Sequence, residues 1–192
     1  MSLISIVIPC FNEEENVVKI ADRIRSIFKS QLVNDNYEII FIDNGSTDKT
    51  HEKIRDLCKT DKDIKLIINA KNFGHIKSPF YGILQSSGDA CILMASDFQD
   101  PLDMIPIYIK KWQEGSKIVL GKKISSDENN IKFSIRKLFY KFLNKISENS
   151  ITENTTGSGI FDKSIINKIR DVNDQYPYLR GLLNERDEKV AT

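Results

Sequence analysis

Cysteine is scarce in this sequence: three residues in 192 (Cys10, Cys58 and Cys91), odd in number, widely spaced and set in or beside apolar segments. That excludes a disulfide scaffold and predicts reduced core thiols in a cytosolic setting. An excess of one charge is missing too. Lys and Arg total 28 against 27 Asp and Glu, a net charge of +1, which argues against nucleic acid as a partner. Long hydrophobic runs are absent: the apolar stretches at 3–9, 39–42 and 91–95 fall far short of the ~18–20 residues that a membrane span needs. The start, Met1-Ser2-Leu3, lacks the basic region of a signal peptide. Repeats and low-complexity tracts are also wanting. With 40% hydrophobic and 29% charged residues, a single soluble globular domain is expected.

What is present is an alternation of strand and helix patterns. Leu3 to Ile8 is a short, β-branched run that reads as a buried strand ended by Pro9. Asn12, with Glu15 three places on, has the spacing of a capping box for a helix carrying Val17, Val18, Ile20, Ala21, Ile24, Ile27 and Phe28. Tyr37 to Asp43 is a second strand, followed through Gly45-Ser46-Thr47-Asp48 by a helix bearing Ile54, Leu57 and Cys58. Ile64 to Ile68 is a third strand, and Ile76 to Ser86 a helix with Pro79 expected in its first turn. Ala90 to Ala95, Asp103 to Gln113 and Lys117 to Leu120 complete the series as strand, helix and strand. Such alternation predicts an α/β fold: a mostly parallel twisted sheet with helices on both faces. Residues 1–121 form the expected core. Residues 122–192 are expected to be a smaller helical appendage of the same domain, with a polar loop at 125–130 and a helical Ser164 to Arg170.

In an open parallel sheet, ligands bind beyond the carboxyl ends of the strands, where strand order reverses. The segments there are Pro9-Cys10-Phe11-Asn12-Glu13-Glu14, Asp43-Asn44-Gly45-Ser46 and Ser96-Asp97-Phe98-Gln99-Asp100-Pro101, which hold an aromatic ring, amides and acids and no Lys or Arg. That suits a base and ribose gripped by acceptors, with a divalent cation neutralising a diphosphate. Each segment has a structural alternative. Phe11 can equally be core, residues 43–48 a turn and helix cap, and Asp97 and Asp100 a favourable charge at a helix N-terminus. His51 and His75 have no partner at metal-ligand spacing, and Gly157 and Gly159 lie outside any phosphate-loop pattern.

In combination these motifs resemble glycosyltransferase family 2. Ile6 to Asn16 is similar to its opening strand and loop, and Ile42 to Thr50 to its acidic nucleotide loop. Asn72-Phe73-Gly74, Gly88-Asp89 and Ser96 to Pro101 resemble the branch that makes polyprenyl-phosphate sugars, including dolichyl-phosphate-mannose synthase-like enzymes. Motif order and spacing agree over 3–121 and more loosely over 131–183, where Tyr178-Leu179-Arg180-Gly181-Leu182 is still familial. The resemblance implies a GT-A (Rossmann-like) fold and an inverting transfer of a sugar from a UDP- or GDP-sugar to a polyprenyl phosphate or a saccharide hydroxyl. It places Pro9, Phe11, Asn12, Glu13, Asp43, Asn44, Ser96 and Asp97 against the nucleotide-sugar, Phe11 stacking on the base and Asp43 accepting from a base N–H. Asp97 and Gln99 would hold Mg²⁺ or Mn²⁺.

The chain departs from the family pattern in two places. Ala95 stands where the first acid of D-x-D is usual, and Asn44 where a second acid often precedes Gly-Ser. Both changes should weaken affinity for metal or ribose. The segment Thr155-Thr156-Gly157-Ser158-Gly159 also lacks the acid that serves many relatives as base, which leaves Asp100 as the candidate base. A phosphate acceptor needs a base less. A binding module without turnover is the alternative. The amphipathic segment 131–146, with Phe133, Leu138, Phe139, Phe142, Leu143 and Ile146 set against basic side chains, reads either as a packed helix or as a membrane-surface contact. Location at the inner face of the cell membrane and self-association complete the expectations. The end at Val190-Ala191-Thr192 has no terminating signal and suggests a chain cut before membrane helices.

Overall fold

The computed structural model describes residues 1–122, 155–170 and 190–191. The expected loop at 125–130, the amphipathic segment 131–146 and the motif at 178–182 lie outside these residues. In chain order the elements are β1 (Leu3–Cys10), α1 (Val17–Gln31), β2 (Asn36–Asp43), α2 (Thr50–Thr60), β3 (Ile64–Ile68), α3 (Gly74–Leu84), β4 (Ala90–Leu93), α4 (Met104–Gln113), β5 (Ile118–Lys122), β6 (Thr155–Asp162), α5 (Lys163–Arg170) and β7 (Val190–Ala191).

One sheet runs in the order β3-β2-β1-β4-β6-β5-β7. Strands β1 to β4 are mutually parallel, and β6 is antiparallel to both of its neighbours, β4 and β5. The expected mostly parallel α/β sheet with helices on both faces is therefore what forms. Alternation along the strands explains the two layers. Ile4, Ile6, Ile8, Ile39 and Phe41 point to one face and meet Ile20, Ile24 and Ile27 of α1, Ile54 of α2 and Ile105 and Tyr108 of α4. Val7, Ile40, Ile42 and Phe161 point to the other, against Ile83 of α3 and Ile165, Ile166 and Ile169 of α5. Strands buried on both faces read as unbroken apolar runs, which is why their sequences do not alternate. Each of these isoleucines contributes about 1.5–3 kcal/mol of burial.

Several elements differ from expectation. The first strand does not end at Pro9 but continues to Cys10, paired with β2 through Pro9↔Ile42 and Cys10↔Asp43. On the other side, the Val7 C=O accepts from the Met94 N–H at 3.1 Å. Pro9, two residues further along that edge, has no N–H to carry the ladder on, so β1 and β4 part there. Helix α3 starts at Gly74, earlier than expected, so Pro79 falls in its second turn rather than its first. There it leaves the carbonyl of the exposed His75 without an i+4 donor. The glycine-rich stretch expected in an appendage is strand β6, which lies inside the sheet between β4 and β5. Gly159 permits this: a Cβ there would sit 2.5 Å from the Val119 carbonyl oxygen. Asp162 closes the strand by accepting from Trp112, Lys117 and Ser164. No helix among the described residues is long and apolar enough to cross a membrane.

A buried polar knot secures the end of the sheet opposite the candidate site. Glu38 on β2 accepts from the Ser5 hydroxyl, from the Ser87 N–H at 2.7 Å and from Lys65. Burial alone would raise its pKa. The hydrogen bonds from Lys65, Ser5 and Ser87 outweigh that and hold the carboxyl down at about 2. A depressed carboxyl stabilises the fold above its unfolded-state value, and this contribution fades as pH falls toward the folded value. Glu38→Gln should cost about 1–3 kcal/mol at neutral pH. In urea denaturation series, the gap from the parent chain should narrow between about pH 4.5 and pH 2. A pH-independent gap would refute the charge-based account.

Candidate functional site

Three loops leave the sheet at one edge because β1, β2 and β4 are parallel neighbours. The order reverses between β1 and β4, where Pro9 parts the strands, so the loops 9–16 and 94–101 flank an opening at the switch point.

The first and second loops are stitched together. The Asn44 N–H extends the sheet to the Cys10 carbonyl at 2.8 Å. The Asn12 N–H donates to the Ser46 hydroxyl at 2.9 Å, and Asn12 Oδ1 accepts from the Thr47 N–H at 2.9 Å. Glu13 N–H donates to the Thr50 hydroxyl at 2.8 Å, and Glu14 exchanges bonds with Asp48 and Lys49. This corrects the expected capping box. Asn12 has φ +57 and clamps the second loop instead of capping α1, whose first turn is preceded by bonds from Asn16 and Val17 N–H to the Glu13 carbonyl. Asparagine tolerates the left-handed conformation there.

Asp43 forms the floor. It is 1% exposed, and Oδ1 accepts from the N–H and hydroxyl of Ser46. Oδ2 is buried without a hydrogen-bond partner. His51, in the first turn of α2, brings Nδ1 to 3.9 Å from that oxygen, too far for a hydrogen bond. The acidity of the cluster shows in Cys10: burial, reinforced by Asp43, Glu13 and Asp48, pushes its thiol far above the usual range, so it is an inert neutral group. Burial alone would raise Asp48, but hydrogen bonds from the Thr50 hydroxyl, the Thr50 N–H and the Glu14 N–H together lower it. Directly after Cys10, whose backbone pairs with Asp43, Phe11 is 44% exposed.

Asn44 was expected among the ligand contacts. It is buried, and its amide is fully engaged with the loop that follows β3 (the third loop, 69–73) and the start of α3. Nδ2 donates to Asn72 Oδ1 at 2.9 Å and the Gly74 carbonyl at 3.3 Å, while Oδ1 accepts from Asn69 Nδ2 at 3.1 Å and the Phe73 N–H at 2.9 Å. An aspartate could not donate either of the first two bonds, which gives the asparagine at this place a physical reason. Gly45 serves the same junction with φ +81, and a Cβ there would come within 3.0 Å of the Lys71 carbonyl carbon.

The fourth strand's loop is built differently. Ser96 is buried, Asp97 and Gln99 are exposed, and Phe98 has φ +58. Asp97 Oδ1 accepts from the Gln99 N–H at 3.0 Å, and its other oxygen has no hydrogen bond among the described residues. Asp100 is half-buried just ahead of α4. No hydrogen bond among the described residues joins 96–100 to the first two loops. Strand β6 runs antiparallel to β4 with Leu93↔Gly159 in register, which carries Thr155–Ser158 to this same edge. Among the described residues no three His, Cys, Asp or Glu side chains are grouped to hold a metal ion. A lone Asp97 carboxylate with the Gln99 amide fits an ion that is also held by a ligand's phosphates, the usual situation of Mg²⁺. Sequence reading set His51 aside, gave Asn72 only as part of a family motif without a role, and missed Asn69. The first could be suspected only from its place in the turn after the acidic loop, the others only from the strand order.

Comparison with known proteins agrees with this arrangement. Residues 5–170 match the family described as Glycosyl transferase family 2. The chain is 33% identical over 182 residues to the prophage bactoprenol glucosyl transferase homolog of Escherichia coli (strain K12), covering 94% of this chain and 59% of that protein. It is 34% identical over 182 residues to the bactoprenol glucosyl transferase of Shigella phage SfV, with coverage of 94% and 59%. The chain thus spans about three-fifths of the length of these relatives. Among solved structures, the mannosyltransferase PcManGT from Pyrobaculum calidifontis, in complex with GDP-Man and Mn²⁺, superposes with a TM-score of 0.64 at 15% identity, covering 100% of this chain and 54% of that one. Glucosyl-3-phosphoglycerate synthase from Mycobacterium tuberculosis, in complex with Mn²⁺, UDP and glucosyl-3-phosphoglycerate, gives 0.60 at 20% identity over 85% of this chain and 58% of that one. The fold is the GT-A arrangement.

The Asn44 junction yields a direct test. Asn44→Asp should lose about 1–3 kcal/mol of stability in urea or thermal unfolding, because Asn72 Oδ1 and the Gly74 carbonyl lose the Asn44 donor and face a carboxylate oxygen instead. A change below about 0.5 kcal/mol, the range of ordinary surface substitutions, would show that the junction is not required.

Proposed function

The chain belongs to glycosyl transferase family 2, and from that premise we propose that it is the donor-binding catalytic part of an inverting hexosyltransferase. It moves a sugar from a UDP- or GDP-sugar to a polyprenyl phosphate at the cytosolic face of a membrane. One observation carries the donor half of this reading: a buried carboxylate oxygen of Asp43 without a partner, under a loop that presents an exposed aromatic ring, Phe11. An unpaired buried acceptor is costly, and an N–H on the edge of a base stacked on Phe11 would satisfy it. Uracil and guanine both carry such an N–H. Bactoprenol in the names of the relatives supports the lipid acceptor.

Asp97 and Gln99 would hold Mg²⁺ or Mn²⁺ together with the donor's diphosphate. When bound, the ion supplies charge stabilisation for the departing diphosphate. The chain's own groups do the rest. Pro9, Asn12 and Glu13 fix the loop that carries Phe11, and Ser46 orients Asp43. Asn44 acts by positioning the third loop. Asp100, beside the opening, is the group within the loop that can take a proton from an acceptor. The acid-free segment 155–159 suits an acceptor phosphate, whose second pKa of about 6 leaves its oxygen largely ionised at neutral pH. That oxygen attacks the anomeric carbon as the bond to the nucleoside diphosphate breaks.

Asp97→Ala should lower sugar transfer by roughly 10²-fold or more with the fold intact, the scale for removing an electrostatic catalytic group. Thermal-shift measurements should show little effect of Mn²⁺ alone and a rise with UDP- or GDP-sugar that Mn²⁺ enlarges, because one carboxylate holds the ion weakly until the diphosphate joins it. Phe11→Ala should remove most of the nucleotide-induced shift. Donor binding that persists with no turnover, even with polyprenyl phosphate, would favour a binding module, the reading suggested by Ala95. Absence of any nucleotide-sugar effect would sink both.

A further inference from the structure

The loops after β1 and β2 are rich in oxygen acceptors, and the fold itself engages them. Asp43 Oδ1 accepts from both the N–H and the hydroxyl of Ser46. Asp48 Oδ1 accepts from the N–H and hydroxyl of Thr50, and its Oδ2 from the Glu14 N–H. Asn12 Oδ1 accepts from the N–H and hydroxyl of Thr47. Glu13 Oε2 takes the Asn16 amide, and Glu14 Oε2 the Lys49 N–H. Asp43 Oδ2 is the exception, buried and without a hydrogen-bond partner. Beside it lies the His51 side chain, 32% exposed, with Nδ1 3.9 Å from that oxygen. At this separation the two do not bond each other, so an acceptor and a ring nitrogen stand side by side. The ring is held in place through the residue before it: Thr50 is buried and tied to Glu13 and Asp48.

We propose that His51 reads the base of the donor: its Nδ1–H donates to a base carbonyl while Asp43 Oδ2 accepts the adjoining ring N–H, and the pair selects uracil. This rests on the donor-site reading above and names its nucleotide. The choice follows from counting donors. Guanine, adenine and cytosine each carry an exocyclic amine, and so bring more N–H groups than one free acceptor can satisfy. In guanine the 2-amino group flanks N1–H and needs a second acceptor, but the other oxygen of the Asp43 carboxylate already holds two hydrogens from Ser46. Among the four RNA bases, uracil alone has no amine. Its single N3–H is flanked by carbonyls: one meets His51, and an under-satisfied carbonyl is tolerated better than an orphaned N–H.

The test is isothermal titration of the whole chain, in Mn²⁺, with UDP, GDP, ADP and CDP. Ribose and diphosphate are common to all four, so differences report the base. UDP should bind at least roughly tenfold more tightly than each of the others, the scale of one buried donor left unpaired. His51→Leu should raise the Kd for UDP about fivefold to tenfold, and His51→Asn, which keeps a side-chain N–H, should restore most of the loss. Substituting sulfur, a weak acceptor, for a carbonyl oxygen probes the contact directly. Either 2-thio-UDP or 4-thio-UDP should bind the parent chain several-fold more weakly than UDP does, and that penalty should vanish in His51→Leu. Circular dichroism and unliganded melting temperatures check that the variants are folded.

Unchanged UDP affinity in His51→Leu would overturn the proposal. So would equal affinity for UDP and GDP, no penalty with either thio analogue, or a penalty that survives in His51→Leu. UDP methylated at N3 separates this failure from that of the underlying reading. If it binds as well as UDP, Asp43 receives no base N–H and the donor site itself is misread. If it binds poorly while His51→Leu has no effect, only the role of His51 falls.

Discussion

Parallel pairing of β1 with β2 on one side and β4 on the other is the constraint from which the rest of the site follows. It fixes three loops at one edge of the sheet and makes their first residues near neighbours. The missing N–H of Pro9 then ends the β1–β4 ladder while the β1–β2 ladder continues to Cys10↔Asp43. One strand pair stays zipped to the level of the buried carboxylate, and the other opens beside it. The crevice is thus a property of backbone hydrogen bonding, and the side chains furnish it afterwards.

The furnishing divides into two kinds of group. Asn12, Ser46, Thr47, Asp48 and Thr50 use their polar atoms on one another, and Asn44 uses all of its amide on the third loop. These residues make the loops rigid and offer little to a ligand. Phe11, Asp43 Oδ2 and Asp97 are the converse: an uncovered ring, an unpartnered buried oxygen and an exposed carboxylate on an open loop. A site with most polar groups internally satisfied and a few left unsatisfied is arranged for a ligand that supplies the missing partners.

Much of this was legible in the sequence. The β-branched runs at 3–8, 37–43 and 64–68 announced strands because the sheet is covered on both faces, and the periodic apolar positions of α1 named its buried stripe almost residue for residue. The acidic loops were legible as well, since the signal lies in residue type directly after a strand. The failures are equally physical. Asn12 was read as a cap because asparagine is favoured both at N-caps and in left-handed loop positions, and only the neighbouring loop decides between them. Strand β6 was hidden because Gly157-Ser158-Gly159 interrupts the β-branched signal of Thr155, Thr156 and Ile160 and leaves no apolar alternation. Its glycine is there because the adjacent backbone passes too close for a side chain. The roles of Asn69 and Asn72 were invisible because they depend on β2 and β3 being neighbours.

The placement of β6 has a consequence for how the molecule comes into being. Strand β4 is completed on its second side by residues that lie some seventy positions later in the chain. While the polypeptide is being made, the parallel core of β1, β2, β3 and β4 can assemble with a raw ladder edge exposed along β4. That edge stays open until 155–162 leaves the ribosome and slides in between β4 and β5. Such a long wait for a non-local strand slows acquisition of the native state and exposes an adhesive border to other chains.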